Sequence, residues 1–213
     1  MSSLLSKLFH FVLLMTKKYY IDESHGLSHS MNILHYAHNI YNDEIHKVPN
    51  LQQHEKLIYV TAILHDMCDK KYVDENKGII EITDFLKDTN QMTPTEIAVS
   101  KKIIQTMSYS TVKKNGFPQL DEYQTAYHIV READLLTAYD FDRCMIYDMY
   151  KKDGDIHLAY NHAADLFQHR VFNHEKDGLL LTDYSRSQHH ILMQHASNRM
   201  QFWKTVLNNK TFL

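Results

Sequence analysis

The sequence predicts an all-α protein, and three observations carry that expectation. Its 213 residues include only five glycines and three prolines, too few turn formers for a sheet of many hairpins. Apolar residues recur at helical spacing in nearly every segment between the breaks, and no segment reads as a strand. Those breaks are short: 22–26, 47–50, 88–94, 113–121, 151–155 and 174–178. Seven or eight helices are expected, in one domain spanning 1–213, with an N-terminal core helix (1–22), a middle part (23–150) and C-terminal helices (151–213).

Taken in order, the first element is the run LFHFVLLM, Leu8 to Met15. It is too short to span a bilayer and His10 interrupts it. The TKKYY behind it offers no small-residue cleavage site. It therefore reads as a core helix, with His10 a satisfied core residue. Ser28 is a candidate N-cap for a helix starting at His29, whose Ile33, Ala37 and Ile40 face inward. In LIYVTAIL, the residues Leu57, Val60, Thr61 and Leu64, with Cys68 beyond, fall on one face. Thr93–Pro94 marks a helix start. Residues 122–150 read as one long helix, with Tyr127, Val130, Asp134, Ala138, Phe141 and Met145 on one stripe.

Composition narrows the function classes. Hydrophobic residues make up 44% and charged residues 23%, the balance of a soluble globular chain. The net charge of -3 gives no basic excess, so charge argues against a nucleic-acid partner. No membrane partner is expected either. Two cysteines, Cys68 and Cys144, fit a reducing compartment, so an intracellular, cytoplasmic location is expected. A homo-oligomer is compatible with these features.

The stretch AILHDMCDKKY, Ala62 to Tyr72, raises the chemical question. A His-Asp pair alone means little: sixteen histidines and seventeen aspartates in 213 positions give about one by chance. In a continuous helix, however, Ala62, His65, Asp66 and Asp69 would share one face at i, i+3, i+4 and i+7. A cation between the His65 and Asp66 directions could be reached by both. The bland alternative is a solvated polar face. Asp134, on an apolar stripe beside Ala133 and Leu135, has either Arg131 or a metal to explain it, because an isolated buried carboxylate is costly. Four histidines, His25, His29, His35 and His38, crowd SHGLSHSMNILHYAHNIY; His29 stands out at a helix start. His189 and His190 read as solvated. Cys68, on a buried face, is a weak nucleophile candidate. No phosphate-binding glycine loop, dinucleotide glycine pattern or nucleophile elbow is present.

In this order, His29, His65–Asp66 and Asp134 resemble the HD-domain superfamily of metal-dependent phosphohydrolases, small stand-alone subgroup. HGLSHSMNI is similar to that subgroup's opening His-Asp-x-x-His-x-x-Arg-Val. AILHDMCDKKY is similar to its LLHDIGDxK, which aligns Asp69 and Lys71. MSYST (107–111) and IVREADLLTAY (129–139) fall where the subgroup has a Ser-Phe strip and a DADRLDA helix. LFQHRVFN and DGLLLTDYSR resemble its tail, so the likeness runs from 25 to about 205. The chain departs from the pattern at Gly26 (usually Asp), Asn32 (often Arg), Leu135 (Arg), Thr137 (Asp) and Asp140 (Gly).

The resemblance implies a divalent metal ion (Mn, Ni, Co, Fe or Mg) on His29, His65, Asp66 and Asp134. It implies hydrolysis of a phosphate ester or anhydride in a small phosphorylated molecule, a nucleotide above all. Lys71 would stabilise phosphoryl charge, Asp69 would orient water or leaving group, and His25 would contact the phosphate. The altered positions around Asp134 leave a second expectation open: a catalytically weak HD-fold nucleotide-binding or regulatory module.

Overall fold

Ten α-helices form the regular structure of the described residues, which in this computed structural model are 3–152, 154–209 and 211. They are α1 (Leu4–Tyr19), α2 (Leu27–Glu44), α3 (Glu55–Leu64), α4 (Glu75–Thr89) and α5 (Pro94–Thr106). Then follow α6 (Tyr109–Asn115), α7 (Gln124–Thr137), α8 (Phe141–Lys151), α9 (Ile156–His169) and α10 (Asp183–Leu207). Among the described residues there is no strand, so the all-α expectation holds, while the count exceeds the seven or eight expected. Among them, no helix is long and apolar enough to cross a membrane.

The extra helices have local causes. The segment read as one helix over 122–150 breaks at Tyr139–Asp140. Asp140 turns out of the helix and its side chain accepts from the Arg143 amide, capping α8. Tyr109–Asn115 is a short helix of its own, capped by Ser108. The Thr93–Pro94 start is confirmed, with a reciprocal capping box between Thr93 and Glu96. The start expected at Ser28 is not: α2 begins at Leu27, capped by Gly26 without a side-chain bond.

The core is built around α3. Seven of its ten residues are buried, from Leu57 and Ile58 through Val60 to Leu64, so it has almost no solvent face. It packs against α2 and α7, which also pack on each other. From α2 come Ile33, Ala37 and Ile40, all inward as expected, and from α7 Ala126, Tyr127, Ile129, Val130 and Ala133. α1 adds Leu8, Val12 and Met15; His10, expected in the core, is exposed on the opposite side of that helix. A second cluster joins α8, α9 and α10 through Phe141, Met145, Ala159, Ala163, Phe167 and Ala196.

Two buried features tie the chain around this core. Glu132 is fully buried and accepts from Arg131 Nη2 (3.0 Å), the amides of Leu181 and Thr182 (3.0 Å each) and Thr182 Oγ1 (2.8 Å). It thereby fastens the entry to α10 onto α7. On α4, Gly78 lies against the turn after α3: a Cβ there would sit 2.6 Å from Cys68 Cβ and 2.7 Å from its Cα. Only glycine permits that approach.

Candidate metal centre

Three elements bring the expected ligands together. His29 is the third residue of α2, and Asp134 lies in the last turn of α7. His65 and Asp66 were expected on a continuing helix, but α3 ends at Leu64 and they occupy the tight turns that follow. There Met67 N bonds Leu64 O (3.0 Å) and Asp69 N bonds Asp66 O (3.1 Å). The dipeptide thus sits at the negative end of a buried helix, a place that favours a cation.

The ligand atoms face one another at coordination distances. His29 Nε2 is 3.1 Å from Asp66 Oδ2, and His65 Nε2 is 3.1 Å from Asp66 Oδ1. Asp134 Oδ1 is 3.8 Å from both Nε2 atoms. Neighbouring ligands of an octahedral ion with bonds of about 2.1 Å are about 3.0 Å apart. His29, His65 and Asp66 form the tighter group, with Asp134 at its edge. His65 Nδ1 donates to Ala62 O (2.9 Å), which turns Nε2 toward the centre. His29 Nε2, His65 Nε2 and Asp66 Oδ2 are buried without any hydrogen-bond partner. Buried polar atoms are rarely left so, and a cation satisfies all three at once. The donor set therefore fits a divalent metal of mixed nitrogen and oxygen preference.

Asp134 departs from the expectation that placed it in the apolar core. Its side chain is 28% exposed, and Arg131 pairs with Glu132 instead of with it. The buried carboxylate of α7 is Glu132.

Charge in the centre is divided unevenly. Burial, with Arg143 nearby, lowers His29 to about 4, although Asp66 opposes. For His65 burial also opposes protonation, but the negative charge of Asp66, with that of Asp134, outweighs it and raises the imidazole to about 9. Burial would raise Asp66, yet His65 and His29 hold it well below the usual carboxylate range. These shifts favour the protonated form of His65 in the ion-free centre at pH 7, with the extra proton on Nε2. Uptake of a divalent ion is expected to release about one proton below pH 9, with affinity falling about tenfold per pH unit below that. Calorimetric titration in two buffers of different ionisation enthalpy checks this. Identical heats in both would mean that binding releases no proton, and so that His65 is not protonated in the ion-free centre.

The other expected residues form an adjoining network. Lys71 Nζ donates to His25 Nε2 (3.0 Å) and pairs with Asp69 Oδ2 (3.2 Å). His25 Nδ1 meets Ser24 Oγ (2.6 Å) and Tyr72 Oη (3.0 Å), and Tyr72 Oη donates to Asp22 (2.6 Å). Burial, then Lys71 and Arg143, hold His25 near 2 against the pull of Asp66, so it stays neutral. The His25 and His29 rings are 6.0 Å apart, which sets Lys71 one residue removed from the ligands.

Arg143 was not anticipated. It lies three residues past the Asp140 cap, in the stretch read as one unbroken helix. Its Nε donates to Ser24 O and its Nη1 to Thr137 Oγ1 (3.3 Å). It lines a cleft of about 420 Å³ that reaches His29 and includes Asn32, Tyr36 and Thr137. The cap-forming Asp140 was the only available signal.

No family model matches the chain, and no curated protein does. Among solved structures, it is similar to that of a Lactobacillus plantarum protein determined as a Northeast Structural Genomics target. The TM-score is 0.67 at 19% sequence identity, with 95% of this chain and 96% of that one covered. At that identity the likeness speaks for the helical fold alone.

Proposed function

We propose that the protein is a metal-dependent phosphohydrolase acting on a phosphate ester or anhydride, a nucleotide being the favoured substrate class. The observation that carries the reading is the convergence of two imidazole Nε2 atoms and two carboxylates around buried, unpartnered ligand positions beside an open cleft. A divalent ion there supplies Lewis acidity, lowering the pKa of water and polarising a phosphoryl oxygen.

The chain's own residues supply the rest. His29, His65 and Asp66 are the deep ligands, Asp134 is the partly exposed one, and His29 also lines the cleft. Arg143 offers a guanidinium to an anionic substrate in a cleft of nucleotide size. Its placement bears on the departures from the resembled pattern. Leu135 stands where the HD pattern has arginine, but it is buried against Leu179 and Leu180, and the guanidiniums lining the cleft are those of Arg143 on α8 and of Arg199 on α10, the latter paired with Asp142. Lys71, held by Asp69 and His25, adds positive charge near the ligands and reaches substrate only by exchanging one of these bonds. That engagement of Lys71 is what favours the second reading, a binding or regulatory module with weak turnover.

The test is a panel of nucleoside mono-, di- and triphosphates and a generic phosphodiester. The protein is loaded in turn with Mn, Co, Ni, Fe and Mg, and products are identified. Hydrolysis of at least one substrate above the His65→Ala background is the expected result. Its absence throughout the panel, with nucleotide binding retained, would replace the enzyme with the binding module.

A further inference from the structure

A second constellation of metal-binding side chains lies outside the centre described above and shares no residue with it. Glu175, in the connection between α9 and α10, faces His189 and His190 on α10. Glu175 Oε2 is 3.4 Å from His189 Nε2 and 3.9 Å from His190 Nε2. One ligand atom from each residue lies within 4.8 Å of both others. These gaps exceed the 2.7–3.2 Å range of a good N–H···O bond. The edge of a tetrahedron with bonds of about 2.05 Å is roughly 3.4 Å, which the first gap matches and the second exceeds by about 0.5 Å. Three donors thus face one another at coordination separations with no hydrogen bond among them.

The group is held in place from behind. His189, expected on a solvated face, is buried, with its side chain 5% exposed. Its Nδ1 meets Tyr139 Oη at 2.5 Å, and Tyr139 Oη donates to Val171 O at 3.1 Å. The phenol proton being given to Val171, Nδ1 is the donor to Oη and Nε2 presents its lone pair toward Glu175. This is the arrangement by which a ligating imidazole is fixed through its other nitrogen. The Glu175 connection is fastened too: Asp177, two residues on, binds Lys113 Nζ (3.0 Å) and accepts from Tyr109 Oη (3.2 Å). His190 is 66% exposed, which leaves the outer side open.

We infer that Glu175, His189 and His190 form a second site for a borderline divalent transition ion, Zn, Ni, Co or Cu, clasping the α9–α10 connection to α10. Two imidazoles and one carboxylate select such ions over Mg or Ca, which prefer oxygen ligands throughout. Bound only to the folded form, the ion raises the stability of the C-terminal part by mass action.

The full-length protein is stripped with chelator and titrated with Zn by equilibrium dialysis and elemental analysis, alongside His190→Ala, Glu175→Ala and a His157→Ala control. Both altered ligands are exposed enough to replace without unfolding the chain. Expected are one fewer Zn per chain, or at least tenfold weaker binding of one Zn, in His190→Ala and Glu175→Ala, with His157→Ala unchanged. Repeated in the His65→Ala background, the same loss is expected, so this count does not depend on the first centre. Equal Zn content and affinity in wild type, His190→Ala and Glu175→Ala would overturn the proposal. So would an equal loss in His157→Ala, which marks unspecific uptake by surface histidines.

Discussion

Replacing His65 or Asp66 by alanine is expected to remove one metal ion per chain and to abolish hydrolysis, by about 10³-fold or more. Each supplies a buried ligand atom to the centre, and neither has a neighbour able to substitute. Asp134→Ala should weaken the ion less, because its oxygen stands 3.8 Å from both imidazoles and its side chain is partly exposed. Lys71→Ala should keep the metal while losing rate or affinity, by about 10- to 100-fold, since it acts on substrate charge and not on the ion. Elemental analysis with steady-state kinetics separates these outcomes, and circular dichroism checks that each variant is folded. If His65→Ala and Asp66→Ala retain the wild-type metal content, the centre is not a metal site.

The second large effect concerns stability. Glu132→Ala should cost about 3–5 kcal/mol, because it leaves the Arg131 guanidinium buried without its counter-charge. Arg131 is 1% exposed, and two of its nitrogens already lack a partner. The same change strips the Leu181 and Thr182 amides of their acceptor and loosens the start of α10. For a chain of this length that is a fall in melting temperature of about 6–20 °C. Adding Arg131→Leu should recover part of the loss, since an empty charge is worse than none. A melting temperature for Glu132→Ala within 2 °C or so of wild type would refute this account.

How much of this was legible in the sequence depends on the reach of each signal. Helical periodicity and scarce glycine sufficed for the all-α class, because both act within a few residues. His29, His65, Asp66 and Asp134 could be singled out by order and flanking residues, and the fold does bring them together. What failed was anything set by a partner distant in sequence. The stripe on α7 was apolar enough to suggest a buried Asp134, yet the buried carboxylate is Glu132, whose partners lie about fifty residues on. His189 looked solvated beside His190 because its partner Tyr139 lies in the turn between α7 and α8, fifty residues earlier. The break at Tyr139–Asp140 was carried by a single capping aspartate within a continuous apolar pattern, and with it went Arg143.

The contact at Gly78 bears on how selective the centre is. With α4 pressed against Cys68, the turn that presents His65 and Asp66 has no space behind it. Its side chains are therefore brought into register as the chain folds, before any ion arrives, and binding need not spend conformational entropy to order them. A cup of this kind discriminates by radius. Ions with bonds of about 2.0–2.2 Å match the 3.1 Å gaps from Asp66 to His29 and His65, whereas calcium, at about 2.3–2.6 Å, would have to spread them by pressing the turn toward α4.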